Sequence, residues 1–531
     1  MKRRPQVGSS QKLLREAVQL HQQGRFDEAE QSYQAILTSQ PNHFDAKHLL
    51  GVLRYQQGRN TEALDHISAA LKLQPNSAVA LSNLGLVLTK LGRPEEALAS
   101  YDQALAIKPD YAEAFKNRGD GLLQLKRLDE ALASYDQAIV LKPDYAEAFN
   151  NRGIALKELE RLDEALASYD QAIALRPDYA EAFKSRAHCR LLAGQYKDGW
   201  QDHEWRWDTK EFPSKRPNMN APPWRGEEVR GRRLLVFAEQ GLGDVIQFVR
   251  YLPLLVERQA KVTLLTTTKL FRLLRPLAMN MEVIGATKEN DSYDFQCALM
   301  SLPLRFNTDL SSIPNKVPYL AAEEKLVARW KARIGEHGFK IGIAWQGNPN
   351  APIDYRRSIP LAEFVALSSL PGVRLISLQK HHGLDQLGRL QPDCKIETLG
   401  DDFDSGPDAF VDTAAAMDSL DLIITSDTSI AHLGGALGRP TWLALKHVPD
   451  WRWMLDRDDS PWYPTMRLFR QPERDDWSSV FAAIERELRS LLVAQKGRVI
   501  MSDVQVNPTT QVSWGETRRQ DHYSRDQGTA S

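Results

Sequence analysis

The sequence predicts an α-helical solenoid followed by two Rossmann-like α/β units facing a cleft. Three observations carry this. Prolines recur at positions 41, 75, 109, 143 and 177, a constant step of 34 residues. Small residues keep the same step. Past Trp207 the repeat ends, and short apolar runs alternate with glycine-bearing loops and helical stretches, the pattern of a parallel sheet.

The repeats come first. Alanines at 29, 63, 97, 131 and 165 and glycines at 51, 85, 119 and 153 share the proline step, with Ala17 and Ala187 in the glycine register. A 34-residue unit with two fixed small positions and a terminal proline is the tetratricopeptide pattern, two antiparallel helices per unit. The small residues let the helices approach. The proline cannot continue the second helix, so it punctuates the unit. No unit buries its apolar face alone, but stacking does. Five full units and a capping sixth fill residues 10–207, after a flexible start at 1–9. The sixth carries Trp200, Trp205 and Trp207, which either cap the solenoid against the next domain or form an aromatic ligand site.

Asn83, Asn117 and Asn151 also repeat every 34 residues, on the first helix of each unit. They read either as a ladder that holds the backbone of an extended peptide or as polar residues on a solvated face. The array resembles that of the nucleocytoplasmic O-linked N-acetylglucosamine transferases, and that resemblance implies the ladder.

Residues 208–230, rich in Pro and polar side chains, read as a linker or wrapping loop. The first α/β unit spans 231–325. It opens with a strand at Leu234–Ala238, a glycine loop at Gly241–Asp244, an apolar helix and a strand at Lys261–Thr266, with further strand signals at MEVIG and SYDFQCAL. The second unit spans 326–496. Its strands are KIGIAWQG, VRLISLQ, DLIITS and the run after Pro440, with helices around Leu361–Ser369 and Val480–Leu492. Residues 497–531 are polar and without period, a disordered tail.

Composition excludes several classes. Lys and Arg number 68 against 69 Asp and Glu, which argues against broad electrostatic binding to nucleic acid or anionic membrane. No apolar run is long enough to span a bilayer, and the basic start lacks a signal-peptide core. The three cysteines form no CxxC pair, which fits a cytoplasmic protein without structural zinc. The glycine loop lacks the third glycine of a dinucleotide fingerprint, and GxxxxGK[ST], HExxH and GxSxG are absent from the sequence.

The run SDTSIAHLGGALGRP, residues 426–440, follows an apolar strand and opens a helix. A helix start offers unpaired amides and a positive dipole end, suited to a diphosphate. Ser426, Thr428 and Ser429 bring hydroxyls, and His432 lies one turn in. Gly434 and Gly435 permit close approach of a ligand or a strand. The alternative is an ordinary helix cap by Asp427 or Thr428.

With EQGLGDVIQF, GIAWQGN, YRRSIP and SLQK, this motif resembles the family of the lipopolysaccharide heptosyltransferases, glycosyltransferase family nine, over residues 231–495. GQYKDGWQDHEWRW and the run from His447 to Gln471 look like a bacterial subgroup that joins tetratricopeptide repeats to such a domain. The resemblance implies a GT-B fold, with the first Rossmann-like unit on the acceptor side and the second on the nucleotide-sugar side. It implies Asp244 as general base, beside Gly241 and Gly243, and Arg357 as the phosphate cation in place of the family's usual lysine. Asp427, Thr428 and His432 would contact the nucleotide sugar, and Lys380 would add charge or line the base pocket. Asp244 alternatively caps its helix. A nucleotide-diphosphate sugar is then co-substrate, with inversion at the anomeric carbon and no metal or other cofactor. The family's lipid acceptor region is not recognisable, so the array would select a protein or polymer acceptor. The competing reading is a repeat scaffold with a non-catalytic α/β half; a nucleotide-sugar epimerase of GT-B shape is a third. Trp451 and Arg452, in the aromatic run 449–463, either pack between domains or border the donor sugar.

Overall fold

The computed structural model describes residues 7–288, 291–349, 357–391 and 394–502. Of the expected flexible start at 1–9 and tail at 497–531, residues 1–6 and 503–531 lie outside them, and Val7 already belongs to the first helix; Tyr355 and Arg356 of YRRSIP also lie outside. By contacts the chain divides into a main unit, Met1–Val480, and a second, Phe481–Ser531.

Six helical hairpins fill the array, from Val7–Gln22 paired with Phe26–Ser39 through Ala180–Leu192 paired with Tyr196–His203. The sixth is complete but short, and a single turn, Glu204–Asp208, closes it. The small residues have the predicted cause. A Cβ on Gly85, Gly119 or Gly153 would stand 2.5 Å from the ring of Tyr101, Tyr135 or Tyr169, the buried tyrosines of the second helices. The hairpin turns repeat a left-handed residue at Gly24, Gly58, Gly92, Lys126, Glu160 and Gly194. Lys126 and Glu160 adopt it at a cost of about 1 kcal/mol relative to glycine. Both side chains have partners: Glu160 meets His447 at 3.2 Å, and Lys126 meets Glu158 at 3.7 Å.

Two all-parallel sheets follow. The first has β1 (Arg233–Phe237), β2 (Lys261–Leu265), β3 (Glu282–Ile284) and β4 (Phe295–Ala298), ordered β3-β2-β1-β4. The second has β5 (Phe339–Ala344), β6 (Val373–Ser377), β7 (Ile396–Thr398), β8 (Leu422–Ser426), β9 (Thr441–Leu445) and β10 (Met466–Arg470). Its order, β10-β9-β8-β5-β6-β7, is the doubly wound arrangement, with the switch point between β5 and β8. The predicted strands form, with ends within three residues of those expected. β7 and β10 lay outside the sequence reading, as did the Val411–Asp418 helix. The last helix begins at Trp477 and continues through Ser502, past the boundary expected at 497.

The stretch 208–230 is no slack linker. Pro223 bridges Gln296 of β4, Trp224 N–H donates to the Gln296 carbonyl at 2.8 Å, and the Trp224 side chain is fully buried.

One apolar core runs from the array into both sheets. Leu191, Tyr196 and Trp200 belong to the same cluster as Phe248, Trp451 and Trp462. Trp200 meets Trp451 edge-on at 5.3 Å, so of the two readings for this tryptophan the structure has the cap. Trp205 stacks on Phe183 at 4.2 Å, and Trp207 meets Phe237 of β1 at 5.9 Å. Two buried arginines pin the parts together. Arg206, at the array's end, pairs with Glu239 at 2.8 Å, and Glu239 also accepts from the amides of Leu299 and Met300. Arg250, after the first Rossmann helix, donates to the Trp462 carbonyl at 2.5 Å and to Tyr319 Oη at 2.9 Å.

Candidate functional site

The carboxyl ends of β1, β5 and β8 open on a cavity of about 860 Å³. Ligands of open α/β sheets bind at such ends, near the switch point. After β1 come Gly241, Gly243 and Asp244; after β5, Gly347 and Asn348; after β8, Asp427, Thr428 and Ser429. Arg357 and His432 also line it.

Two short helices, Leu242–Phe248 and Ser429–Ala436, cross with their starts at this cavity. The crossing explains Gly243: a Cβ there would lie 3.1 Å from both His432 Cδ2 and Ser429 Oγ. No side chain caps the Ser429–Ala436 helix; Thr428 sits at the cap position with its hydroxyl on the Ser426 carbonyl at 3.4 Å. Of the capping alternative, Thr428 has the position but not the side-chain bond, and the helix start lies at the cavity. Gly434 and Gly435 serve packing: Thr441 Oγ1 and the Tyr463 ring would meet their missing Cβ atoms at 2.6 and 2.2 Å.

Asp244 is doubly held. Its Oδ2 accepts from the Gly241 amide at 2.9 Å, the helix cap that the sequence left open, and its Oδ1 accepts from Arg452 Nη2 at 2.5 Å. Arg452 also pairs with Asp450 at 2.8 Å and donates Nε–H to Gln247 Oε1 at 2.5 Å. Burial raises the Asp244 carboxyl above its ordinary range, and Arg452 and the Gly241 amide pull it partly back. Burial, then the Asp450 charge, pushes Asp427 up to about 6. Burial also works to raise Asp450, but Arg452 outweighs it and holds that carboxyl low. His432 stacks on Trp453 at 5.5 Å, with Nδ1 2.9 Å from Tyr463 Oη. Burial keeps its imidazole neutral.

Two of the residues expected at the site stand apart from it. Lys380 donates to the Phe403 carbonyl and does not line the cavity. Ser426 is fully buried at the end of β8. From SLQK it is Gln379 that shapes the site: it accepts from the Trp345 and Gln346 amides and donates to the Gln346 carbonyl, fixing the loop after β5. The aromatic run packs, and part of it reaches the cavity. Trp453 and Trp462 are core, while Trp451 and Arg452 also line the cavity.

The asparagine ladder is only partly open. Asn83 Nδ2 bonds His48 Nε2 at 2.9 Å, and Asn151 Nδ2 donates to Asp120 Oδ1 at 2.8 Å. Asn117 is half-buried on the corresponding helix.

One wall was not foreseen. Lys157, Glu158, Lys184 and His188, on the array helices Ala146–Glu158 and Ala180–Leu192, line the same cavity. Burial, opposed by Asp450 and reinforced by Lys157 and Lys184, lowers His188 to about 4. The sequence holds a signal for this wall. Lys157 and His188 occupy repeat positions filled by Leu123 and Ile154 one unit earlier.

The N-terminal part of the chain consists of tetratricopeptide repeats. Family descriptions read "Tetratricopeptide repeat" at residues 13–35, 42–110 and 146–179 and "TPR repeat" at 119–159. The chain is similar to Protein FlbA of Caulobacter vibrioides, 25% identical over 327 residues that cover 57% of this chain and 54% of that one. It thus spans about half the length of the curated relative it matches. Solved structures with similarity include MamA (24% identity, 31% of this chain and 96% of that one, TM-score 0.29). Others are YrrB (27%, 32% and 88%, 0.28) and the thermophilic TPR protein TTC0263 of Thermus thermophilus (27%, 34% and 99%, 0.31). Among the described residues no helix is long and apolar enough to cross a membrane.

Proposed function

We propose that the protein is a glycosyltransferase of GT-B type that moves a sugar from a nucleotide-diphosphate donor to an acceptor hydroxyl. The observation that carries this reading is the meeting of two motifs in one cavity: Gly241–Asp244 after β1, and Asp427–His432 after β8, packed together through Gly243 and Ser429. In this reading the start of the Ser429–Ala436 helix and the Arg357 guanidinium take the diphosphate. They stabilise the charge that develops as the sugar–phosphate bond breaks. Asp244 takes the acceptor proton as its oxygen attacks the anomeric carbon, giving inversion. Its two bonded oxygens each retain a lone pair for that hydroxyl. The array, with Asn83, Asn117 and Asn151, presents a protein or polymer acceptor.

The test is a thermal-shift panel of ADP-, UDP- and GDP-sugars on the full chain, then mass spectrometry of acceptor proteins for added hexose, heptose or N-acetylhexosamine. Stabilisation by one nucleotide class and a matching mass increment are expected. Abolition of activity by EDTA would overturn the metal-free electrostatics.

The second reading, a repeat scaffold with a non-catalytic α/β half, draws on the double restraint of Asp244. It predicts a folded chain that responds to none of the nucleotides.

A further inference from the structure

The array wall of the cavity carries more positive charge than its own carboxylate answers. Glu158 is the carboxylate there, and it is shared: Lys157 stands 3.4 Å away, Lys126 and Arg474 each 3.7 Å. Burial works to raise Glu158, yet Lys157, Lys126, Lys446 and Arg474 together bring it down to about 2. Lys184 makes no ion pair among the described residues. Arg206 is different, since Glu239 and Glu204 both hold it at 2.8 Å. Lys157 keeps only 23% of its side chain exposed, so its charge is not simply solvated. His188 lines the same cavity near enough to feel the charges of both Lys157 and Lys184, and its neutral ring has an N–H to donate. Cations partly withdrawn from water without matching carboxylates cost free energy, and an arriving anion relieves that cost.

We propose that Lys157, Lys184 and His188, with Lys446 from the end of β9, form an anion subsite distinct from the diphosphate position. It takes a carboxylate or phosphate borne by the acceptor or by the transferred sugar. The diphosphate position belongs to Arg357 and the helix start after β8, so the two sites are built from different elements of the chain. The inference rests on the transferase reading, and it makes the repeats part of the substrate cavity as well as a holder of the acceptor.

The experiment is calorimetric titration of the full chain with inorganic phosphate, alone and saturated with whichever nucleoside diphosphate binds. Phosphate is expected to bind in both states. Lys157→Ala with Lys184→Ala should weaken it tenfold or more and leave nucleoside diphosphate affinity within twofold. Lys157→Gln with Lys184→Gln serves if the alanine pair melts early by circular dichroism. Unchanged phosphate binding in the variant, competition between phosphate and nucleoside diphosphate, or a loss confined to the nucleoside diphosphate would each overturn the subsite. If no nucleoside diphosphate binds the wild type, the transferase reading falls, while the phosphate titration still decides the subsite. Displacement of phosphate by an acidic hydroxyl-bearing peptide, but not its neutral amide form, assigns the anion to the acceptor. Displacement by a nucleotide uronate, but not the neutral hexose, assigns it to the sugar. Displacement by neither would overturn the substrate role.

Discussion

Arg452 Nη2 stands 2.5 Å from Asp244 Oδ1, joining the glycine loop after β1 to the aromatic run after β9. The same guanidinium holds Asp450, so one cation serves two carboxylates at the cavity. Arg452→Ala leaves both without their partner in a partly buried site. Loss of one member of a buried pair costs about 3–5 kcal/mol, and a urea melt of the full chain checks it. Arg452→Lys keeps the charge but not the forked geometry, so an intermediate loss is expected.

Asp244→Asn keeps an oxygen for the Gly241 amide and removes the base. Under the transferase reading, transfer falls by about 10²–10⁴-fold, while the thermal shift given by the donor persists. Full activity in this variant would remove Asp244 from the chemistry.

Asp427 sets a pH dependence. Its carboxyl lies at about 6 in the folded chain against 3.8 ordinarily, faced by Asp450, Arg357 and Arg452. Between those values the folded state holds a proton that the unfolded chain has released, so this contribution to stability is present at low pH and is lost as pH rises through 6. Its ceiling is about 3 kcal/mol. Asp427→Asn should flatten that part of the melting-temperature profile. A nucleotide sugar, whose diphosphate diester does not titrate here, should bind more tightly at pH ~5.5 than at pH ~7.5 in the wild type, with the difference lost in the variant. Calorimetry at the two pH values measures it.

Gly85→Ala drives a Cβ to 2.5 Å from the Tyr101 ring. Overpacking of this kind costs about 1–3 kcal/mol. Gly388→Ala is the control, since a Cβ there meets nothing within 4 Å; a change within about 0.5 kcal/mol is expected. Equal effects in chemical denaturation would overturn the packing account of the repeat glycines.

The legible part of the fold was the periodic part. A step of 34 residues marks hairpins, and Gly51 to Gly153 mark the close approaches, because each repeat states the same packing problem again. The strands were legible as apolar runs ending in glycine or polar loops. β7 was not: Ile396–Thr398 is three residues long with two of them exposed. At the cavity, Asp427 and His432 were visible because their motif follows a buried strand. The bond between Arg452 and Asp244 was invisible, because it spans 208 residues of chain and depends on where two helices cross. Lys380 misled for the same reason, since only the fold reveals that the Phe403 carbonyl takes its ammonium. Lys157 and His188 were hidden inside repeats read as uniform.

The core shared by Trp200, Trp451 and Trp462 sets a rule for trimming the protein. The first hairpins can be shed from the amino end one at a time, since each leans only on its neighbours, whereas the fifth already reaches the α/β half through Glu160 and His447 and through Glu158 and Arg474. The last hairpin cannot go with them, because its removal would strip the indoles of the α/β half bare and invite aggregation. The amino end of the array can thus change length without disturbing the sheets, while its final hairpin and the α/β half stand or fall as one piece.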